Sequence, residues 1–480
     1  ALLVQREAEI SAFVAEPFCT VQLDCGFPAT TDRMKDRKDA DAIANACKGK
    51  TVIVKSVERK EKAEKAPALY DLTSLQRDAN RVLGYTSQQT LDYLQALYEK
   101  KLCTYPRTDS RYLTDDMEGS VPGLVAAAAA VCGMEKPPTI CAKQVCSSKK
   151  VTDHHAIVPT ISAEKVDMAS LPLGEREVLK LAARGLLRAV DEPHRYAETV
   201  ITVDCAGQSF TAKGKTVLAL GWKRYAQEQA ETAPALPVVT ENQTLSVSTA
   251  SVKTGKTTPP KHFTEDTLLA SMENAGKEDM PDDAERKGIG TPATRSGIIE
   301  KLVSSGFVER RKAKKITNLL PTSTGTALIT VLPEQLQSPQ LTAEWEHRLK
   351  EIERGEIASA SFMDGIAAML NELVQTYKPI PGAEVLFPSG REVVGRCPRC
   401  GAEVTESQKG FFCENRDCSF VLWKNSRFFA AKKKTLTKSI AAALLKNGRA
   451  PLKGCYSEKT GKTYDAVALL EDDGQRTGYK

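Results

Sequence analysis

The 480-residue sequence has no long hydrophobic run. Its longest weakly polar stretch, near Val121 to Met134, is mostly alanine and carries Pro122 and Gly123. That is short of the roughly 20 apolar residues a membrane-spanning helix needs. No basic-then-apolar leader opens the chain. It begins ALLVQREAEI, which reads as the middle of a helix and raises the expectation that residues precede it. With 13 Cys in 480 residues, a disulfide scaffold is excluded. A phosphate-binding P-loop is missing too. Gly-Lys-Thr occurs at 214–216, 255–257 and 461–463, but Ser209, Ala250 and Tyr456 stand where the first glycine is required. An ATP-driven motor of that kind is therefore disfavoured. The apolar fraction of 41% against a net charge of only +6 excludes general disorder. The length predicts about three or four domains, each with its own core.

The positive charge is concentrated. Residues 424–463 hold eleven Lys or Arg, among them Lys432, Lys433 and Lys434, against the single acid Glu458. The rest of the chain is net acidic. A basic appendage on such a body fits a polyanion, or serves as a solubilising tail. Phe428, Phe429 and Tyr456 offer rings on which bases could stack, which favours nucleic acid. A second cluster, Arg310, Arg311, Lys312, Lys314 and Lys315, reads as a solvated turn when taken alone.

Periodicity gives a mixed α+β chain of several domains. Residues 1–15 read as helix and Phe18 to Cys25 as a strand ending at Gly26. Residues 33–65 are charged, with Thr51 to Val57 strand-like. Residues 71–101 carry Leu72, Leu75, Leu83, Leu91, Leu94, Leu97 and Tyr98 at helical spacing. Residues 117–135 and 163–190 read as helices. Residues 195–250 switch to strands, and Pro259-Pro260 marks a linker. Two helices follow over 264–310 with GIGTPATRSG between them, then a helical pair over 341–377 and a turn-rich stretch at 379–390.

Cys397, Cys400, Cys413 and Cys418 form C-x2-C-x12-C-x4-C. Four thiolates in two close pairs suit a tetrahedral structural zinc site, with four free buried cysteines as the alternative. Such a site has no open position, so its zinc would be structural. Phe411, Phe412, Phe420, Leu422 and Trp423 would supply the small core of the ribbon. The other nine cysteines show no pairing pattern, which suits a reducing cytoplasm.

The stretch Thr104-Tyr105-Pro106-Arg107-Thr108-Asp109-Ser110 is the most informative. Pro106 keeps Tyr105 out of helical geometry. In an extended segment residues two apart share a face, so Tyr105 and Arg107 point the same way. A phenol oxygen can attack a phosphodiester while a guanidinium clamps the phosphate oxygens. The phenolate, with a pKa of about 10, is also a reasonable leaving group, so the bond could be reversed without ATP. A packed tyrosine beside a surface arginine is the bland reading. Asp153-His154-His155 places two of the five histidines side by side, either as a turn pair or near a scissile phosphate. In KGIGTPATRSGIIE (287–300), Thr294 and Arg295 stand at the start of an apolar helix, where backbone N–H groups cap the helix or bind phosphate.

Taken in order, these stretches resemble type IA DNA topoisomerases, on the topoisomerase III branch. LLVQREAEISAFV is similar to the helix after the family's GRVQTP segment. PALYDLTSLQRDANRVLGYTSQQTLDYLQALYEKKLCTYPRTDSRYL is similar to the start of its active-site domain, and DHHAIVPT, GIGTPATRSGIIEKL and the cysteines follow in family order. The resemblance implies a toroid with helical active-site and winged-helix-like domains, a β-rich gate domain and a C-terminal zinc ribbon. It divides the chain into 1–32 with 262–375 (winged-helix-like), 33–64 with 191–261 (gate), 65–190 (active site), 390–423 (zinc finger) and 424–480 (basic domain). Tyr105 would be the nucleophile, forming a 5′-phosphotyrosyl link. Arg107 would hold the cleaved phosphate, and His154 matches the family's active-site histidine. Thr108, Asp109, Ser110, Thr294, Arg295, Arg310, Arg311 and Lys432 to Lys434 are expected along single-stranded DNA.

The family's Toprim domain, with its Mg²⁺-binding acids, precedes the helix at residue 1, and no Asp-x-Asp-x-Glu run elsewhere in the chain replaces it. The implied cofactors are Mg²⁺ through Toprim and structural Zn²⁺. Residues 1–480 alone are expected to bind single-stranded DNA as a cytoplasmic monomer, without membrane contact, and to cleave it poorly. Other tyrosine-dependent DNA enzymes and a non-catalytic protein stay open. A relaxase-like nickase separates its metal-binding histidines by an apolar residue, unlike His154-His155. A recombinase-like enzyme places its tyrosine late in the domain and would leave an adduct on a 3′-phosphate. A non-catalytic zinc and DNA-binding protein is the third reading.

Overall fold

The computed structural model describes residues 1–226, 235–276, 288–377, 393–415, 417–457 and 460–480. The turn-rich stretch expected at 379–390 lies outside them. The chain divides into two compact units, Ala1–Ile380 and Pro381–Lys480. Helices and an antiparallel sheet build the first unit.

Helix α1 (Leu2–Ala12) is followed by strands β1 (Pro17–Asp24) and β2 (Pro28–Thr30), then helix α2 (Arg37–Cys47) and the long strand β3 (Thr51–Glu64). Helix α2 buries Ala40, Ala44 and Cys47 on one stripe, and Asp36 caps it by accepting from the Lys38 N–H. Helices α3 (Leu72–Leu83), α4 (Ser87–Glu99), α5 (Val121–Cys132) and α6 (Leu173–Ala189) come next. Capping boxes open α3 (Asp71 with Ser74) and α4 (Thr86 with Gln89), and Gly84 at φ +74° ends α3. The single helical pattern of 71–101 is therefore two helices. Four strands follow: β4 (His194–Cys205), β5 (Gln208–Ala219), β6 (Thr244–Ser246) and β7 (Thr249–Lys256).

Strands β1 to β7 form one sheet in the order β6-β3-β4-β5-β2-β1-β7, antiparallel throughout. The division expected after residue 32 is therefore misplaced. Strands β1 and β2 belong to this sheet, because Val21, Leu23 and Ala29 alternate inward into its core with Val52, Val54, Ile201 and Phe210. Helix α1 packs elsewhere. Leu3 joins Phe263, Leu269, Ile299 and Leu319 in a core built by α7 (Glu265–Asn274), α8 (Pro292–Ser304) and the hairpin β8 (Val308–Ala313)–β9 (Ile316–Pro321). The basic cluster at 310–315 sits on this hairpin, with Lys314 at φ +56° in its turn. Helices α9 (Ser323–Val331), α10 (Gln340–Glu353) and α11 (Ser359–Thr376) complete the unit.

Helices α3 to α6 share a third core. The alanines of α5 are mostly buried there, so the Val121 to Met134 run is a packed helix. Among the described residues no helix is long and apolar enough to cross a membrane.

The second unit holds the antiparallel strands β10 (Val393–Arg396), β11 (Glu403–Glu406), β12 (Gly410–Cys413) and β13 (Val421–Trp423). Short helix α12 (Arg427–Ala430), helix α13 (Lys438–Asn447) and strands β14 (Arg449–Tyr456), β15 (Thr463–Asp472) and β16 (Thr477–Tyr479) follow. The zinc finger and basic domain, expected as separate pieces, share one core. Phe411, Phe420 and Leu422 pack in a single cluster with Phe429, Leu444, Leu452 and Ala468.

Candidate active site and metal cluster

The segment after α4 is laced to residues 150–160. Thr104 N–H donates to the Val158 carbonyl, and the Thr104 hydroxyl bonds both the Ala156 carbonyl and the Val158 N–H. Thr108 Oγ1 donates to the His154 carbonyl at 2.7 Å, and Ser110 Oγ to the Lys150 carbonyl at 3.0 Å. Pro106, Thr108 and Ser110 are buried, whereas Tyr105 is half-buried and Arg107 and Asp109 are exposed. This alternation turns odd-numbered residues outward, as the two-residue period of extended chain requires. Thr108 and Ser110, expected along DNA, instead spend their hydroxyls inside the protein. Asp109 accepts from Thr152 Oγ1 at 2.8 Å.

Lacing the two segments brings Tyr105 and His154 together. Their ring centroids are 4.2 Å apart with planes tilted by 38°. His154 is exposed, so one edge of the pair is open to solvent. Arg107 Nη1 donates to Gln95 Oε1 at 2.9 Å, and Gln95 Nε2 donates to Glu99 at 3.0 Å. The Tyr98 ring meets Tyr105 edge to face, 5.5 Å between centroids and 83° between planes. Gln95 and Tyr98 are site neighbours that the sequence reading does not single out, Tyr98 appearing there only as one of the residues at helical spacing. It lies one position beyond the buried row Leu91, Leu94 and Leu97, and that phase difference was the available signal.

Arg295 and Arg310 are held differently from expectation. Arg295 is buried, and donates from Nε to the Ile289 carbonyl and from Nη1 to Thr73 Oγ1. Arg310 donates to Glu265 Oε1 at 2.9 Å and to Glu300 Oε2 at 2.7 Å. The buried Glu265 carboxylate also accepts from the backbone N–H and hydroxyl of Ser87 at the start of α4. The Arg295 guanidinium is thus enclosed, and the half-buried Arg310 guanidinium is engaged by two carboxylates. Thr294 is exposed, its hydroxyl closing a capping box with Thr291. Arg311 is exposed and pairs with Glu309.

In the second unit the sulfurs of Cys397, Cys400, Cys413 and Cys418 all lie within 4.8 Å of one another. The Cys397–Cys418 pair is at 3.7 Å and the Cys400–Cys413 pair at 3.4 Å. A tetrahedron with metal–sulfur arms of about 2.3 Å has edges of about 3.8 Å, so the four sulfurs fit a zinc ion. Burial pushes the Cys413 thiol up to about 12, while the Ala402 N–H draws the Cys400 thiol down to about 7. Four deprotonated sulfurs this close would need a cation among them. This is the only group of three or more metal-binding side chains among the described residues. The ribbon core is smaller than expected, because Trp423 is 45% exposed and Phe412 packs edge-on against it.

The lysine cluster beside it also differs from expectation. Phe429 is fully buried and cannot receive a base. Lys432 Nζ sits 3.5 Å from the Phe428 ring centroid and Lys433 Nζ 4.1 Å from that of Tyr456, so ammonium groups already cover these two rings. Lys434 is half-buried.

The fold of the first unit is that of the type IA DNA topoisomerase family. A family model described as DNA topoisomerase matches residues 1–364, and the chain belongs to that family. It is 35% identical over 451 residues to DNA topoisomerase 3 of Bacillus subtilis (strain 168), and 34% identical over 456 residues to that of Bacillus licheniformis. Each alignment covers 87% of this chain and 61% of the relative, so the chain spans about three-fifths of their length. Full-length topoisomerase I from Thermotoga maritima matches in fold with a TM-score of 0.62 and 22% identity, over 86% of this chain and 68% of that one.

Proposed function

We propose that this chain carries the DNA-cleaving tyrosine of a type IA topoisomerase of the topoisomerase III kind, acting on single-stranded DNA as a monomer. The Tyr105 oxygen attacks a backbone phosphorus. The O–P bond forms, the bond from phosphorus to the 3′ oxygen breaks, and the departing oxygen takes a proton while the phenol loses one. Arg107 neutralises the extra charge on the phosphate oxygens, and His154 donates a hydrogen bond or proton. A second strand passes the bridged gap, and reversal reseals the break without ATP. The observation that carries this reading is the tilted contact of the His154 and Tyr105 rings, with the exposed Arg107 two residues on.

Thr294 and Arg311 on the first unit, and Lys432 to Lys434 on the second, are the proposed secondary contacts to the strand. Structural zinc is proposed for the four cysteines. Among the described residues no group of three or more metal-binding side chains includes one beside Tyr105. In a bacterial cell this activity belongs in the cytoplasm, on nucleoid or plasmid DNA.

The test uses the full-length protein with Mg²⁺ and a single-stranded oligonucleotide. A 3′-end label should stay on the denatured protein and a 5′-end label should be released. Y105F should abolish the adduct while retaining binding. An adduct that keeps the 5′ label, or survives in Y105F, overturns the reading.

A further inference from the structure

Two neighbours in the last turn of α4 each hold one of the two outward groups of the site. Gln95 accepts the Arg107 hydrogen bond, and three residues on, Tyr98 meets the Tyr105 ring. Residues three apart lie side by side on a helix surface, so one helical turn serves both groups. The Tyr98 ring is 40% exposed and out of phase with the leucines that anchor α4, so core packing does not explain it. Its plane lies 83° from that of Tyr105, the edge-to-face arrangement that aromatic quadrupoles favour. His154 adds a second ring at 4.2 Å. A ring touched by both has its plane fixed before any strand arrives.

We propose that Tyr98 is a positioning residue for the cleavage step: its ring fixes the orientation of Tyr105 so that the phenol oxygen is presented in line with the scissile phosphorus. Tyr98 touches neither phosphate nor leaving group. It acts through Tyr105, as Gln95 acts through Arg107. The inference rests on Tyr105 being the nucleophile. Preorganisation of this kind shows in the rate of bond formation and not in strand affinity.

The test compares Y98L and Y98F in the full-length protein, by single-turnover adduct formation on a 3′-labelled single-stranded oligonucleotide. Y98L keeps the bulk and loses the ring. It should slow adduct formation about tenfold while leaving oligonucleotide affinity within about twofold. Y98F keeps the ring and should restore the wild-type rate, which a role for the hydroxyl would not allow. With ring-labelled tyrosine, the NMR signals of Tyr105 should shift and broaden in Y98L but not in Y98F. A Y98L enzyme with the wild-type rate, or a Y98F enzyme as slow as Y98L, overturns the inference and leaves Tyr105 as nucleophile intact. A wild-type protein that forms no adduct overturns both.

Discussion

The His154 imidazole packs on the Tyr105 ring at 4.2 Å between centroids, although 49 positions of chain separate the two residues. The contact exists because Thr104 and Thr108 each tie the tyrosine segment to the 154–158 backbone through a hydroxyl. Replacing His154 by Ala should lower the rate of adduct formation by about 100-fold or more, the range expected for loss of one proton donor. Oligonucleotide affinity measured by fluorescence anisotropy should change little. A fall in affinity of the same size would assign His154 to strand binding instead.

Arg107 presents Nη1 to Gln95, which leaves the rest of its planar fork free for phosphate. A lysine there keeps the charge but not the fork. R107K should therefore cleave at least about tenfold more slowly while its thermal midpoint stays unchanged. Single-turnover kinetics and a thermal melt check this together.

Glu265 is buried, and its two oxygens are shared between Arg310 and the N-terminus of α4 at Ser87. E265A should destabilise the first unit by about 1–3 kcal/mol, because it leaves the two Ser87 donors unpaired and takes from Arg310 one of its two carboxylate partners, Glu300 remaining. Denaturant unfolding measures this. A loss below about 0.5 kcal/mol would place the network among solvent-screened pairs.

The Arg399 guanidinium bonds Asp472 through Nε and Nη2 and holds its carboxyl below the usual carboxylate range, against the upward push of burial. A carboxyl depressed in the folded state stabilises at pH above its unfolded value of about 4. That contribution is lost as pH falls through the folded value. On acid titration followed by Trp423 fluorescence, wild type should lose stability below about pH 4 more steeply than D472N. Parallel curves would show that the pair does not couple to folding.

Removal of metal by a strong chelator should loosen the whole second unit, because Cys397 belongs to the core that also holds Phe429 and Leu452. Native mass spectrometry should find about one zinc per chain, lost in C400S/C413S. An unchanged near-ultraviolet dichroism spectrum after metal loss would contradict this dependence.

Much of the site was legible because it is local. The alternation around Pro106, the adjacent histidines and the cysteine spacing are short-range patterns. The rest was set by partners distant in sequence. Arg295 and Arg310 look like any exposed cations until Thr73, Glu265 and Glu300 are seen to bind them. Phe429 looks like a stacking ring until strands β14 and β15 close over it. Helix α2 was hidden by its charges, since its buried stripe is two alanines and a cysteine. The break at Gly84 was available, because a glycine before a Thr-x-x-Gln capping box marks one helix ending and another starting.

Strand β1 pairs with β7 along its full length, Pro17 opposite Lys256, and every element from α2 to β6 lies between them in the chain. On the ribosome, Val21 and Leu23 therefore emerge long before the neighbour that completes their side of the sheet. Until β7 is made, one edge of β1 is unpaired and open to neighbouring nascent chains. The 224 positions between Asp24 and Thr249 thus set how long that edge waits for its partner during synthesis.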